Sequence, residues 1–130
     1  MFVPLPKATL LVATPKQGNQ DLQHLFIILT APIEGAIITV NLSSCKTKFY
    51  DKSCVLEKGD HSFIKHKSYI AYHRSEILKI TQLKNMTIRQ LEQVTENVFK
   101  RITSGLLKSK QTPNKVKKFF VDYINRPFKP

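Results

Sequence analysis

The sequence predicts a mainly β domain with two C-terminal helices. Three observations point there. Short apolar runs separated by turn residues fill the first two-thirds of the chain, apolar residues recur at helical spacing in the last third, and no apolar run approaches the length of a membrane span. At 130 residues the chain suits one compact domain with a modest core. An apolar fraction of 42% is too high for wholesale disorder.

The strands are read in order. "ATLLVAT" (8–14) is a first strand, followed by the polar loop "PKQGNQDLQ" (15–23). "HLFIILT" (24–30) is short and apolar enough for a buried strand, and "APIEG" turns the chain. "AIITVNLSS" (36–44) is rich in β-branched residues. "CKTKFYDK" is a polar connection, and "SCVLEKGD" is a short strand ending in a Lys-Gly-Asp turn. "KSYIAYHR" (67–74) alternates, with Tyr69, Ala71 and His73 on one face and Ser68, Ile70, Tyr72 and Arg74 on the other. "EILKITQL" is a last short strand. Five to six short strands with brief turns make a small barrel or half-open sheet.

The helices follow. "MTIRQLEQVTENVFKRITSG" opens with Thr87 and places Gln90 three positions on, a capping-box pattern. Ile88, Leu91, Val94, Val98 and Ile102 keep helical spacing, and Gly105 fits a C-terminal stop. In the second helix Thr112 is the cap and Pro113 the first helical residue. Val116, Phe119, Phe120, Tyr123 and Ile124 form its apolar stripe, and Pro127 ends it. The expected division is 1–106 for the barrel with its helix and 107–130 for a basic amphipathic extension packed on it as part of the same domain.

Charge speaks to partners. The formal net charge is +12, from 21 Lys+Arg against 9 Asp+Glu. Such a surplus points first to nucleic acid. From Lys100 onward nine Lys/Arg face one acid, Asp122. That segment is either a nucleic-acid-facing tail or a docking helix for an acidic partner. Cys45 and Cys54 are too few for a disulfide scaffold or a zinc cluster, so they are read as reduced, in a cytoplasmic protein. "MFVPLPKATLLVATP" lacks a basic start and a small-residue cleavage site and is not read as a signal peptide.

No Gly-rich phosphate loop, HExxH or metal-spaced Cys/His cluster is present, so no metal or cofactor is expected. Metal-free RNA cleavage suits such a chain. The ribose 2'-OH attacks the adjacent phosphate with a general base, a general acid and a cation or hydroxyl on the phosphate oxygens. His, Arg, Lys and Ser can fill these roles. Tyr69 and Tyr72 are candidates to stack on bases, with packing in the sheet as the competing use. His61 follows Asp60 in a turn, where a local hydrogen bond is expected, and His73 is expected to be structural.

The order of these segments resembles the MazF/PemK family of toxins from toxin–antitoxin modules. The resemblance runs through "HLFIILT", "IITVNLSS", "CVLEKGD" and "SYIAYHRSEI" and covers roughly residues 8–106. It implies an SH3-like barrel, endoribonuclease activity on single-stranded RNA without a cofactor, and an acidic antitoxin as partner. Where the family carries Arg-Pro this chain has His24-Leu25, so the family's phosphate-assisting arginine is missing and His24 becomes the candidate acid or base. Ser43 matches the family's phosphate-contacting hydroxyl, and His66 stands in the region that joins acid–base work in some members. The expected catalytic set is therefore His24, Ser43 and His66. The expected RNA-binding set is Lys16, Ser44, Lys46, Lys65, Lys67, Tyr72 and Arg74. Lys117, Lys118, Phe119, Phe120 and Tyr123 on the second helix, which the family's compact members lack, are the candidates for a protein partner or a homodimer, unless that helix simply completes the core. The rival readings are a non-catalytic nucleic-acid-binding barrel and a phage or mobile-element regulator docking on an acidic host protein.

Overall fold

A computed structural model describes residues 4–16 and 20–126, with the side chains of residues 14–23 outside the description. Seven antiparallel strands precede or flank the helices: β1 (Thr9–Lys16), β2 (Gln20–Ile28), β3 (Ala36–Ser44), β4 (Val55–Leu56), β5 (Ser68–Ile70), β6 (Glu76–Lys79) and β7 (Ile88–Leu91). The helices are α1 (Ile80–Leu83), α2 (Glu96–Lys108) and α3 (Asn114–Ile124). The order across the sheet is β4-β5-β3-β2-β1-β7, with β6 also paired to β3.

β3 holds the sheet together because it changes partners along its length. Its residues Thr39 to Asn41 pair with Ile28 to Phe26 of β2. On the other edge, Ala36 to Thr39 pair with β6, and Leu42 to Ser44 pair with β5. The turn into β3 needs Glu34 and Gly35 at φ 51° and 76°, the left-handed region in which glycine is unstrained.

Alternation along the strands divides the apolar residues between two cores. Leu11, Leu25, Ile27, Ile38, Val40 and Ile70 face Val98, Ile102 and Leu106 of α2 and Val116 and Phe120 of α3. Leu10, Val12, Ile28 and Ile37 face the other way and pack with Leu78 and Leu83. Burial on both faces explains why "HLFIILT" reads as an unbroken apolar run. Among the described residues no helix is long and apolar enough to cross a membrane.

Several elements differ from the sequence-based expectation. The strands reach into the expected loop 15–23, since Thr14, Pro15 and Lys16 pair with Leu22, Asp21 and Gln20. The expected helix from Thr87 divides into β7 and α2. Ile88 and Leu91 occupy the free edge of β1, opposite Val12 and Thr9. The cap of α2 is Thr95, whose hydroxyl accepts from the Val98 amide at 3.2 Å. Gly105 lies inside α2, which runs on to Lys108. The strand expected over 67–74 ends at Ile70, and Tyr72–Arg74 form one 3-10 turn. The segment "EILKITQL" is half strand and half helix. α3 starts one residue later than expected, after Pro113, while the Thr112 hydroxyl donates to the Leu106 carbonyl at 2.7 Å. Pro127 lies outside the described residues.

Candidate nucleic-acid interface

β3 and β5 end side by side, and their ends assemble a polar cluster. The pairing sets Ser44 opposite Ser68 and Ser43 opposite Tyr69. The chain then leaves β5 backwards through Lys67 and His66, both exposed. This brings His66 back over β3, where its Nε2 lies 2.8 Å from Ser44 Oγ in a shared hydrogen bond. The connection after β3 folds over the same place. A pocket of about 230 Å³ is lined by Ser43, Ser44, Lys46, Phe49, Tyr50 and Tyr69.

The pocket combines aromatic faces with cations. Tyr50 stacks on Tyr69 at 5.2 Å between ring centroids. Lys52 Nζ lies 5.0 Å and Lys67 Nζ 6.0 Å from the Tyr50 ring centre, distances suited to cation–π attraction. The Tyr50 phenol beside Lys67 raises the lysine pKa above its ordinary value. Phe49 is 83% exposed with Lys48 Nζ 5.8 Å from its ring centre. An apolar ring so open to water, with an ammonium group beside it, has a free face on which a planar group can stack.

The expected site residues separate on this geometry. Ser43, Ser44 and Lys46 share the pocket, and His66 joins them through Ser44. Lys67 reaches the pocket through Tyr50. Lys65 is exposed but lines a separate hollow with Lys58, Gly59, His61, Ser62 and Ile64. Arg74 is exposed in the 3-10 turn. Lys16 is the last residue of β1, and its side chain lies outside the described residues. His24 is half-exposed on β2, opposite Val12 of β1. The β2–β3 ladder stops at Phe26–Asn41, and the same register continued by two residues would set His24 opposite Ser43.

Two expectations are corrected by burial. Tyr72 is fully buried, and its hydroxyl donates to the Ile102 carbonyl at 2.6 Å, so its ring cannot stack on a base. Phe120 is a core residue, with Phe119 and Tyr123 packed against the same cluster. The Tyr123 hydroxyl accepts from the Ala31 amide at 3.1 Å. All of the α3 stripe except the exposed Ile124 thus closes the core, which removes Phe120 from any docking surface. Lys117 is half-buried and Lys118 exposed on the same helix.

His61 and the cysteines take structural places. His61 Nδ1 accepts from the Phe63 amide at 3.1 Å, the local bond expected of it. Its Nε2 also lies 2.9 Å from the Glu92 carbonyl and 3.2 Å from Thr9 Oγ1, tying the turn after β4 to β1 and β7. Cys45 and Cys54 are free thiols, and burial pushes the Cys54 pKa up, which leaves it unreactive. Among the described residues no three His, Cys, Asp or Glu side chains gather as a metal-binding group.

Phe49, Tyr50, Lys48 and Lys52 were read in the sequence only as a polar connection. The signal was the alternation of lysines with two adjacent aromatics in "KTKFYDK", a segment with no strand or helix pattern to absorb those rings.

No protein-family model matches the chain, and no curated protein matches it. Among solved structures, a crystal structure of MazE-MazF (Form-III) from Deinococcus radiodurans contains a similar chain, with a TM-score of 0.58 and 10% sequence identity. The match covers 86% of this chain and 100% of that one. At that identity the likeness speaks to fold, and it agrees with the architecture built above: this chain has a MazF-like fold, an antiparallel seven-stranded sheet followed by C-terminal helices.

Proposed function

We propose that this protein binds single-stranded RNA at the Ser43–Tyr69 pocket and cleaves it without a metal. The observation that carries the reading is the Ser44–His66 hydrogen bond at the rim of a pocket lined by Lys46, the exposed Phe49 and the half-buried Tyr50 and Tyr69. In this reading bases stack on Phe49 and the Tyr50–Tyr69 pair. Lys46 and the Ser43 hydroxyl hold the phosphate oxygens, where charge develops in the transition state. The 2'-OH attacks the adjacent phosphorus and gives up its proton to a base, and the bond from phosphorus to the 5' oxygen breaks as that oxygen takes a proton from an acid. The products are a 2',3'-cyclic phosphate and a 5'-OH end. His66, oriented by Ser44, serves one proton transfer, and His24 is the candidate for the other. A protein partner of the MazE kind, acidic against the +12 charge of this chain, belongs to the same reading.

A second reading is favoured by one observation. His24 stands where the family has arginine, two residues beyond the last β2–β3 pair. If it does not reach the phosphate, the pocket binds RNA and cuts nothing. Incubation of the purified protein with mixed-sequence RNA in EDTA, beside a His66→Ala/Ser43→Ala variant, separates the two. Cyclic-phosphate ends from the wild type alone support cleavage. Salt-sensitive binding with intact RNA supports the binding module.

A further inference from the structure

A second cleft lies on the other side of β4, between that strand and α2. It encloses about 440 Å³ and is lined by Ser53, Val55, Asn97, Lys100, Ser104 and Lys108, with Cys54 and Arg101 at its wall. Helical spacing builds it. Asn97, Lys100, Ser104 and Lys108 fall three or four apart, so they share one face of α2. Lys100 and Lys108 stand about 12 Å apart along the helix axis. Arg101 is already engaged, since it donates to the Val55 carbonyl at 2.6 Å and pairs with Asp60 at 3.5 Å. Neither lysine forms an ion pair among the described residues.

We infer that this cleft is a second sugar-phosphate subsite for the single-stranded RNA held at the Ser43–Tyr69 pocket. The inference rests on the RNA-binding half of the function proposed above. Two features favour RNA over an acidic peptide. Apart from the half-buried Val55, the open lining is cationic, hydroxyl and amide, the groups that contact phosphate and ribose, and Cys54 is buried behind it. A peptide interface would need exposed apolar or aromatic anchors, and the cleft has none. The two hollows are also continuous along the chain. Val55 at the cleft pairs with Tyr69 at the pocket, and Lys52, over Tyr50, is next to Ser53. This adjacency gives an RNA strand leaving the aromatic pocket a course past Lys52 to the cleft.

The test is binding of uncleavable 2'-O-methyl RNA of two lengths, about three and about ten nucleotides. Three proteins are compared: wild type, Lys100→Ala/Lys108→Ala, and Lys84→Ala/Arg89→Ala, which removes equal charge near the opposite edge strand β7. The expected result is that Lys100→Ala/Lys108→Ala binds the longer RNA about tenfold more weakly, with the slope of log K against log salt reduced by about 1 to 2. Its binding of the short RNA should match wild type, and the β7-edge variant should match wild type for both. Equal losses in both double variants, or no loss in either, overturn the inference. So does tighter capture of an acidic peptide than of RNA that disappears in Lys100→Ala/Lys108→Ala. A wild type that binds the longer RNA through these lysines and cuts no cleavable RNA leaves the cleft standing and removes only the nuclease reading.

Discussion

The Tyr72 hydroxyl donates to the Ile102 carbonyl at 2.6 Å and in doing so lies directly on Gly105 of the same helix. A methyl group at position 105 would overlap that hydroxyl, and would stand 2.9 Å from Tyr72 Cζ and 3.0 Å from the Ser53 carbonyl. Glycine in mid-helix is therefore the condition for docking α2 onto the 3-10 turn after β5. Gly105→Ala should destabilise the fold by ~1 to 3 kcal/mol despite the better helix propensity of alanine. Tyr72→Phe should cost about 1 kcal/mol. In the double variant the hydroxyl overlap is gone, so its loss should fall short of the sum in urea melts. Strict additivity would mean that the two residues do not bear on each other.

Phe120 closes the core from α3. It is 6% exposed and lies 6.4 Å from Tyr123 between ring centroids. Phe120→Ala should cost ~3 to 5 kcal/mol, while Lys118→Ala on the exposed face should stay within about 0.5 kcal/mol of wild type. A soluble Phe120→Ala protein with unchanged Tm would return this helix to the docking role.

The antiparallel sheet was legible in the sequence because its main strands announce themselves locally. β3 is rich in β-branched residues, the second half of β2 (Leu25–Ile28) is unbroken apolar, and a turn separates them. β7 was illegible for a physical reason. Ile88 and Leu91 fit both a helix face and a strand half-buried on one side, and Thr87 with Gln90 supplies a plausible cap. What decides is the unpaired edge of β1, a partner almost eighty residues away by sequence. The candidate site was legible in the same measure. Ser43, Ser44 and Lys46 are neighbours in sequence and stay neighbours in space. The bond from Ser44 to His66 spans 22 residues and exists only because β5 pairs with the end of β3.

Asp51 anchors the C-terminal end of α2 and gives the fold an acid-sensitive point. Its carboxylate accepts from the Ser53 amide at 2.9 Å, the Ser53 hydroxyl at 2.6 Å and the Ser109 hydroxyl. Burial alone would raise its pKa, but the bonds from Ser109 and Ser53 outweigh it and hold the carboxyl below its ordinary 3.8. A carboxyl with a depressed folded pKa binds protons more readily in the unfolded chain. Its stabilisation is complete above the ordinary value and is lost as pH falls through the folded one. Glu92 acts in the same direction, since bonds from the Ser62 hydroxyl and amide hold it down to about 2. Thermal melts from neutral pH downward should show Tm falling below about pH 4. Asp51→Asn should lower Tm at neutral pH and flatten that fall. An unchanged acid limb in Asp51→Asn would show that its hydrogen bonds do not support the fold.

Phe49 has little to do in the folded protein, being 83% exposed. Phe49→Ala should therefore leave stability within about 0.5 kcal/mol of wild type. If a base stacks on it, the same change should weaken single-stranded RNA binding by ~1 to 3 kcal/mol. Tyr50→Ala should weaken binding at least as much, because it removes the partner of Tyr69 as well as the ring beneath Lys52 and Lys67. Calorimetric titration with an uncleavable oligonucleotide reads both effects. Full affinity in Phe49→Ala would take the connection after β3 out of the RNA interface.

Two histidines that exchange protons with the ribose and the leaving oxygen give a rate that rises and then falls with pH. The Ser44 contact orients His66, whereas His24 lies on β2 two residues beyond the last β2–β3 pair. His66→Ala should lower the cleavage rate by ~10² to 10⁴ and remove one limb of the pH–rate profile. His24→Ala should remove the other limb. Ser44→Ala, which frees His66 without deleting it, should give a smaller loss and keep both limbs. Cleavage whose pH profile is untouched by either histidine change would place the acid and base elsewhere, and retention of full rate in His66→Ala would separate the Ser44–His66 pair from the chemistry.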